Sequence, residues 1–224
     1  MLKLIPFVIS LFVILSGCSG GYQSIAEEES IENNIKINAD AYLFDAKVIQ
    51  NGKPTSVRLY FYQTDSIIGI GGRGYLGKGA LKGWITADSI KVMFPTTKEY
   101  LFESVSDLFS SFACADDIPE FELMSLFSVL PDRLFADSII TVNRVDDDTD
   151  DKRREYMITI EGCLWNLYLR YDYRDDRFVI RNFEFDDGKT TTLSGKRREY
   201  KTDQNIKLAK FKVPLSPEYI RIIP

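Results

Sequence analysis

The sequence predicts a mainly β (α+β) fold, an antiparallel meander of about ten short strands rolled into a barrel or part-barrel, with short helices in the middle of the chain. Three observations predict it. Apolar and polar residues alternate through most of the chain, which is the period of a sheet with one buried and one wet face. Turn residues part these runs at hairpin intervals. Between Ser104 and Pro131 the apolar spacing changes to that of a helix.

The first element is not part of the domain. Met1 and Lys3 form a short basic start, an apolar run follows from Leu4 to Leu15, and it ends in Leu15-Ser16-Gly17-Cys18. This is the layout of a bacterial lipoprotein signal peptide with a lipobox. The run is about a dozen residues, whereas a membrane span needs roughly 20. Residues 1–17 are therefore read as removed, and Cys18 as the lipidated residue that anchors the protein to a membrane. Several acyl chains on one cysteine hold firmly where one holds weakly. Residues 18–38 read as a flexible tether, with Ser19, Gly20 and Gly21 and the acidic run Glu27-Glu28-Glu29. Ser19 stands where some bacteria place the Asp that retains a lipoprotein at the inner membrane, so the expected address is the outer membrane.

Residues 39–224 read as one domain. Tyr42, Phe44, Ala46 and Val48 alternate with polar neighbours, and Asn51-Gly52 supplies a hairpin turn before Val57, Leu59 and Phe61. Ile90, Val92 and Phe94 repeat the pattern. Asp-Ser-Ile occurs at 65–67, 88–90 and 137–139, each time opening an apolar run, and is read as turn chemistry by the Asp and Ser side chains. Ser104 with Asp107 resembles a capping box, and Val105, Leu108, Phe109 and Phe112 follow at helical spacing. A second helical run carries Leu123, Leu126, Phe127 and Leu130, and Pro131 is expected to end it. Strands return at Ile139–Val142, at Tyr156–Ile160 continuing past Gly162 through Trp165 and Leu167 to Leu169, and at Phe178–Phe185. Tight turns are expected at Asp175-Asp176 and Asp187-Gly188, and further strands at 190–196, 206–213 and 219–222.

Composition excludes several functions. The formal charge is −5, with acids and bases mixed along the chain, which argues against a nucleic-acid partner. The chain has no histidine, which removes Ser-His-Asp and Cys-His catalysis and His-ligated zinc. No Cys-x-x-Cys pair is present, and Cys114 and Cys163 are read as buried free thiols in preference to a bridge. No cofactor and no metal are expected. Gly69-Ile70-Gly71-Gly72-Arg73-Gly74 only loosely matches a dinucleotide loop, no helix follows, and the stretch to Gly79 is read as a flexible loop between strands. Its apolar tip, Tyr75 and Leu76, either touches a membrane or partner or folds back as a plug. Asp146-Asp147-Asp148-Thr149-Asp150-Asp151 lacks the Gly and Glu of a calcium loop, and Arg153 and Arg154 would compete for its carboxylates, so a solvated hairpin tip is favoured. The aromatic residues of the strands, among them Phe61, Trp84 and Trp165, either line an apolar pocket or form ordinary core, which is the commoner outcome.

A resemblance adds to this reading. The order of lipobox, tether, antiparallel strands, short central helices and further strands resembles the LolA/LolB-like lipoprotein-carrier fold, and more closely the uncharacterised lipoproteins of Bacteroidetes that share it. The stretch Val57-Arg-Leu-Tyr-Phe-Tyr-Gln-Thr-Asp-Ser-Ile-Ile-Gly-Ile-Gly looks like that family's second strand, turn and third strand. The stretches at 85–93 and 98–100 look like the next strand pair, and 106–110 with 121–131 like the helices over the mouth. The resemblance implies an antiparallel half-barrel of about ten strands with two or three short helices capping its concave face. It implies an apolar cavity with a lid, for which Phe61, Trp84, Leu108, Phe109, Phe112, Leu123, Phe127 and Trp165 are the candidates, and a protruding loop to which Leu76 is the nearest match.

The expected function is that of a non-enzymatic envelope lipoprotein, monomeric, that binds an acyl chain or the lipid of a lipoprotein in the half-barrel. The rival expectation is a structural or assembly lipoprotein that docks other envelope proteins. An empty interior favours the first and a packed one the second.

Overall fold

The structure, a computed structural model, describes residues 36–74, 77, 79–104, 107, 126–127, 129–134, 140–146, 150–160, 162–207, 211, 213 and 216–222. Twelve strands build it: β1 (Lys36–Gln50), β2 (Lys53–Gln63), β3 (Ile68–Arg73), β4 (Gly79–Ile85), β5 (Ser89–Phe94), β6 (Glu99–Ser104), β7 (Ile140–Arg144), β8 (Arg153–Ile160), β9 (Asn166–Arg174), β10 (Arg177–Asp186), β11 (Thr191–Lys207) and β12 (Ile220–Arg221). They form one open, curled sheet in the order β12-β6-β5-β4-β3-β2-β1-β11-β10-β9-β8-β7. All neighbours are antiparallel except β12, which lies parallel to β6.

The expected architecture is met in outline and corrected in detail. There are twelve strands, not about ten. The two strands expected at 190–196 and 206–213 are replaced by the single long β11, and Phe211 and Val213 beyond it are buried outside any strand. The glycine-rich stretch from Gly69 to Arg73 is strand β3, not loop. Pro131 opens the short helix α1 (Pro131–Leu134), where its missing N–H costs nothing, and residues 121–125 of the helical run expected before it lie outside the described residues. At the other expected helix the start is present: the backbone N–H of Asp107 donates to Ser104 Oγ at 2.9 Å. The run from 108 to 125 lies outside the described residues. Among the described residues no helix is long and apolar enough to cross a membrane.

The turns follow local chemistry. Asn51 and Gly52, both at positive φ (48° and 76°), make the β1–β2 hairpin, and Asp175 and Asp176 (48° and 61°) the β9–β10 hairpin. At the first two Asp-Ser-Ile sites the preceding threonine holds the turn, joined at the second site by the Ser89 hydroxyl, 3.2 Å from Thr86 Oγ1. Thr64 Oγ1 accepts from the N–H of Ile67 at 3.0 Å, and Thr86 Oγ1 from that of Ser89 at 3.1 Å. The third site lies outside the described residues.

Strand alternation gives the sheet two faces. The inner face carries Tyr42, Phe44, Ala46 and Val48 of β1, Val57, Leu59 and Phe61 of β2, and Tyr156, Ile158, Leu169 and Tyr171 of β8 and β9. Leu126, Phe127, Leu130 and Leu134 pack on this face from the segment that includes α1. On β4–β6 it continues through Leu81, Val92, Phe94 and Leu101. The outer face carries a smaller cluster in which Phe211 meets Ala39, Ile206, Ile37 and Tyr62. The β11–β12 connection therefore starts beside β1 and ends beyond β6. A Cβ on Gly69 would lie 2.7 Å from the Phe211 ring, so β3 needs glycine there to let the connection pass.

The sheet has a seam. The β10–β11 ladder runs only from Asn182–Lys196 to Asp186–Thr192. Beyond it β11 continues along β1 to Lys207, and β10 continues along β9 to its turn at Asp175. Bulges in both strands, between Ile180 and Asn182 and opposite Leu43–Phe44, mark the parting.

Candidate functional site

The centre of the inner face is a contiguous set of rings. Phe44 is fully buried and meets Phe61 at 5.7 Å and Phe183 at 5.3 Å between centroids. Tyr42 meets Tyr200 at 5.0 Å. Phe127 closes the set from outside the sheet, 5.2 Å from both Tyr42 and Phe61. These offset and edge-on contacts are the preferred geometries of aromatic pairs. The face is bulky at Phe183 only because its neighbour is small: a Cβ on Gly195 would fall 2.4 Å from the Phe183 ring.

Two tyrosines fasten the covering segment to the sheet. The Tyr171 hydroxyl donates to the carbonyl oxygen of Leu126 at 2.9 Å, and the Tyr156 hydroxyl to Asp132 Oδ2 at 3.3 Å. Burial pushes both phenols up, Tyr156 to about 12 with Asp132 adding to the shift, so both stay neutral donors at ordinary pH. The two rings brace each other edge to face at 6.1 Å.

One end of the face is polar, at the seam. Arg197 is almost wholly buried, and its Nη1 donates to the carbonyls of Val179 at 3.2 Å and Ile180 at 2.6 Å. It thereby satisfies acceptors that β11 no longer reaches. Arg177 reaches across to Asp40 Oδ2 at 2.5 Å and also bonds the Tyr200 hydroxyl. The Tyr200 ring has both guanidinium groups near its faces, at 5.7 Å (Arg177) and 5.6 Å (Arg197). Burial lowers the pKa of Arg197, and burial with the nearby Asp40 pushes the Tyr200 hydroxyl up to about 12.

The expected site residues divide. Phe61 and Phe127 come together on the inner face. Trp165 also packs with the inner core, against Phe185 at 6.0 Å, and its Nε1 is buried with no hydrogen-bond partner among the described residues. Trp84 does not belong with them. It pairs in register with Gly69 and Lys91 and so faces outward, where its ring meets Phe102 at 6.2 Å. The strand period puts it one residue out of phase with Gly83 and Ile85. Cys18, Tyr75, Leu76, Leu108, Phe109, Phe112 and Leu123 lie outside the described residues.

Two other expectations are corrected here. Cys163 is disulfide-bonded, not free, and sits between β8 and β9 rather than inside a strand. Its partner lies outside the described residues. In the aspartate run, Asp146 is taken by Arg144 (2.6 Å) and by the N–H of Glu155 (3.1 Å), not by Arg153 or Arg154. The Arg144 bond holds the Asp146 carboxyl down to about 2. Among the described residues no group of three acidic or cysteine side chains is placed to hold a metal ion.

Sequence reasoning missed the seam and the tyrosine latch. Both depend on which strand lies beside which, and the bulges in β10 and β11 mark where the two part.

The fold defines a protein built on one open β-sheet with a covered apolar face. No family model matches the chain, and no curated protein matches it. Solved structures of similar outline include an uncharacterized conserved protein from Thermus thermophilus, with a TM-score of 0.41 and 11% identity over 81% of this chain and 90% of that one. A DUF1329 family protein from Desulfovibrio piger gives a TM-score of 0.43 and 12% identity over 78% and 90%. PNGF-II gives a TM-score of 0.37 and 6% identity over 77% of this chain and 30% of that one. Likeness at this level carries no argument about activity.

Proposed function

We propose that this protein is a non-enzymatic, lipid-anchored protein of the bacterial envelope that takes an acyl chain, free or attached to a lipoprotein, under the segment that carries Phe127. The observation that carries the reading is the position of that ring. Phe127 belongs to no strand, yet it fills the centre of an apolar face between Tyr42 and Phe61. An apolar trough in water is costly, about 25 cal/mol for each Å² exposed, so an empty carrier would close it with its own side chain. A chain entering the trough would displace Phe127 and regain that burial. The Trp165 Nε1, buried and unpartnered among the described residues, offers a donor to an ester or carboxylate oxygen of such a ligand.

The anchor half of the reading rests on Cys18 and the apolar run before it, and the half-barrel resemblance of the sequence supports the cargo half. The Cys163 bridge suits an oxidising compartment outside the cytoplasm, and Ser19 favours the outer membrane. Two measurements test the reading. Cys18→Ser should abolish palmitate labelling and leave the precursor uncut. A dansylated fatty acid should bind saturably, one per chain, and more tightly to Phe127→Ala.

A second reading keeps the interior closed and assigns the protein to docking other envelope proteins. The packed interior favours it, since Phe44 is fully buried and Phe127 fills the face between Tyr42 and Phe61; the carrier reading requires that Phe127 be displaced. Absence of saturable probe binding in both proteins would select it.

A further inference from the structure

We infer that the ligand of the apolar face is held by its head at the end where Gln50 and Trp165 stand, and that this head is a neutral ester, not a carboxylate or an amine. The inference rests on the carrier reading and names the chemistry of its ligand. Val48, Leu193, Phe185 and Leu167 lie opposite one another in turn and form one row of the inner core across four strands. The next row begins with Gln50 opposite Thr191. It passes to Asp187, whose N–H donates to the Thr191 carbonyl at 3.0 Å. It ends at Trp165, one residue before β9, whose ring packs against Phe185 at 6.0 Å. Two side-chain donors of this row are buried with no hydrogen-bond partner among the described residues: the amide Nε2 of Gln50 and the indole Nε1 of Trp165.

The carboxylate of the row is spent on its own turn. Asp187 Oδ1 accepts the backbone N–H groups of Lys189, Thr190 and Thr191, each at 2.9 Å. A buried donor without an acceptor is costly, so the row favours a ligand that brings acceptor oxygens and no donors. An ammonium head brings donors only and is excluded. Charge separates the two remaining heads. Lys53, opposite Gln50, is exposed, and Asp187 carries the same sign as a carboxylate. A carboxylate buried here would lack a buried cation, whereas an ester carbonyl needs only the two N–H groups. The opposite end of the face offers no rival seat. There Arg177 is bonded to Asp40 and Tyr200, and Arg197 to two carbonyls with Asp172 beside it. The acyl chain therefore runs from the Trp165 end, along Val48 and Phe185, toward Phe44 under Phe127. Leu164, 66% exposed beside Trp165, marks where that end meets solvent.

The test holds the chain length fixed and changes the head. Methyl dodecanoate, dodecanoate and dodecylamine each compete for the dansylated fatty acid on the full chain at mildly alkaline pH. We expect the ester to displace the probe about tenfold better than either rival. Dodecanoate should gain as the pH is lowered and its head becomes neutral. Gln50→Met keeps the volume and deletes the donor. It should weaken the ester about fivefold, leave dodecylamine unchanged, and hold or raise the urea midpoint of the free protein. The chain has two tryptophans, so the indole N–H that survives in Trp84→Phe is that of Trp165. Its signal in a proton–nitrogen correlation spectrum should move downfield when the ester is added. Saturable probe binding with the three heads displacing alike, or with dodecanoate or dodecylamine ahead, overturns this inference and leaves the carrier reading standing. A Trp165 N–H already downfield in the free protein, and shifted by Gln50→Met, would mean that the two side chains bond one another and would also overturn it. No saturable binding of the dansylated probe overturns both readings.

Discussion

The hydroxyl of Tyr171, from the fully buried centre of β9, donates to the backbone carbonyl of Leu126 in the covering segment. The bond joins the sheet to the cover one residue before Phe127. A carbonyl buried at that point has few other donors, so the tyrosine both fixes the ring beside it and sets the cost of lifting it.

Tyr171→Phe keeps the ring and deletes the donor. It should lower stability by about 1–2 kcal/mol, the cost of one buried acceptor left unpaired. It should also tighten binding of the dansylated fatty acid, because the cover then opens more easily. Denaturant titration and probe titration on the same protein check both. Lower stability with unchanged or weaker probe binding would make the bond structural only.

Arg197 replaces a missing stretch of ladder at the seam. Arg197→Met should cost about 3–5 kcal/mol, since it strands the carbonyls of Val179 and Ile180 and leaves Asp172 with less positive charge. Arg197→Lys should recover part of the loss, because a single ammonium can donate to both carbonyls as Nη1 does but cannot at the same time supply the second nitrogen that faces Asp172. Urea midpoints of the three proteins decide this.

Gly195 and Phe183 form a matched pair. Gly195→Ala would ordinarily stabilise a strand, but here its methyl meets the Phe183 ring, and a loss of about 1–3 kcal/mol is expected. The loss should shrink in a Phe183→Leu background, so a double-mutant cycle should show coupling. A stabilised Gly195→Ala would mean that the ring lies elsewhere.

The bond between Arg144 and Asp146 gives a pH signature. The folded-state pKa of Asp146 is held down to about 2, below the ordinary 3.8 of an unfolded chain. A depressed carboxyl contributes stability that is fully present above the unfolded value and is lost as pH falls toward the folded one. Melting temperature should therefore fall between about pH 5 and pH 2, and Asp146→Asn should flatten that limb. An unchanged acid limb in the variant would refute the assignment.

Much of the fold was legible because strand alternation and turn residues are local. The β1–β2 hairpin at Asn51-Gly52, the β9–β10 turn at Asp175-Asp176 and the Ser104 cap could all be read from neighbours in the chain. The site was legible in part for the same reason. Phe61 and Phe127 carry apolar patterns that point inward, whereas Trp84 was grouped with them by residue type and separated by phase. Gly69 was read as loop, and the need for glycine there comes from the Phe211 ring that lies over it. Cys163 was read as free because no local pattern announces a bridge. Pairings between distant segments, such as Arg197 with Ile180 or Tyr171 with Leu126, leave no mark on local spacing.

The central claim is that the covered face holds a lipid. Native mass spectrometry of the protein purified from its own membranes tests it most directly. The account predicts a population heavier than the acylated chain by the mass of a fatty acid or phospholipid, lost on displacement with the dansylated probe and diminished in Phe61→Asp, which would place a charge beneath Phe127. A single species at the mass of the acylated chain, unchanged by added lipid, would contradict it.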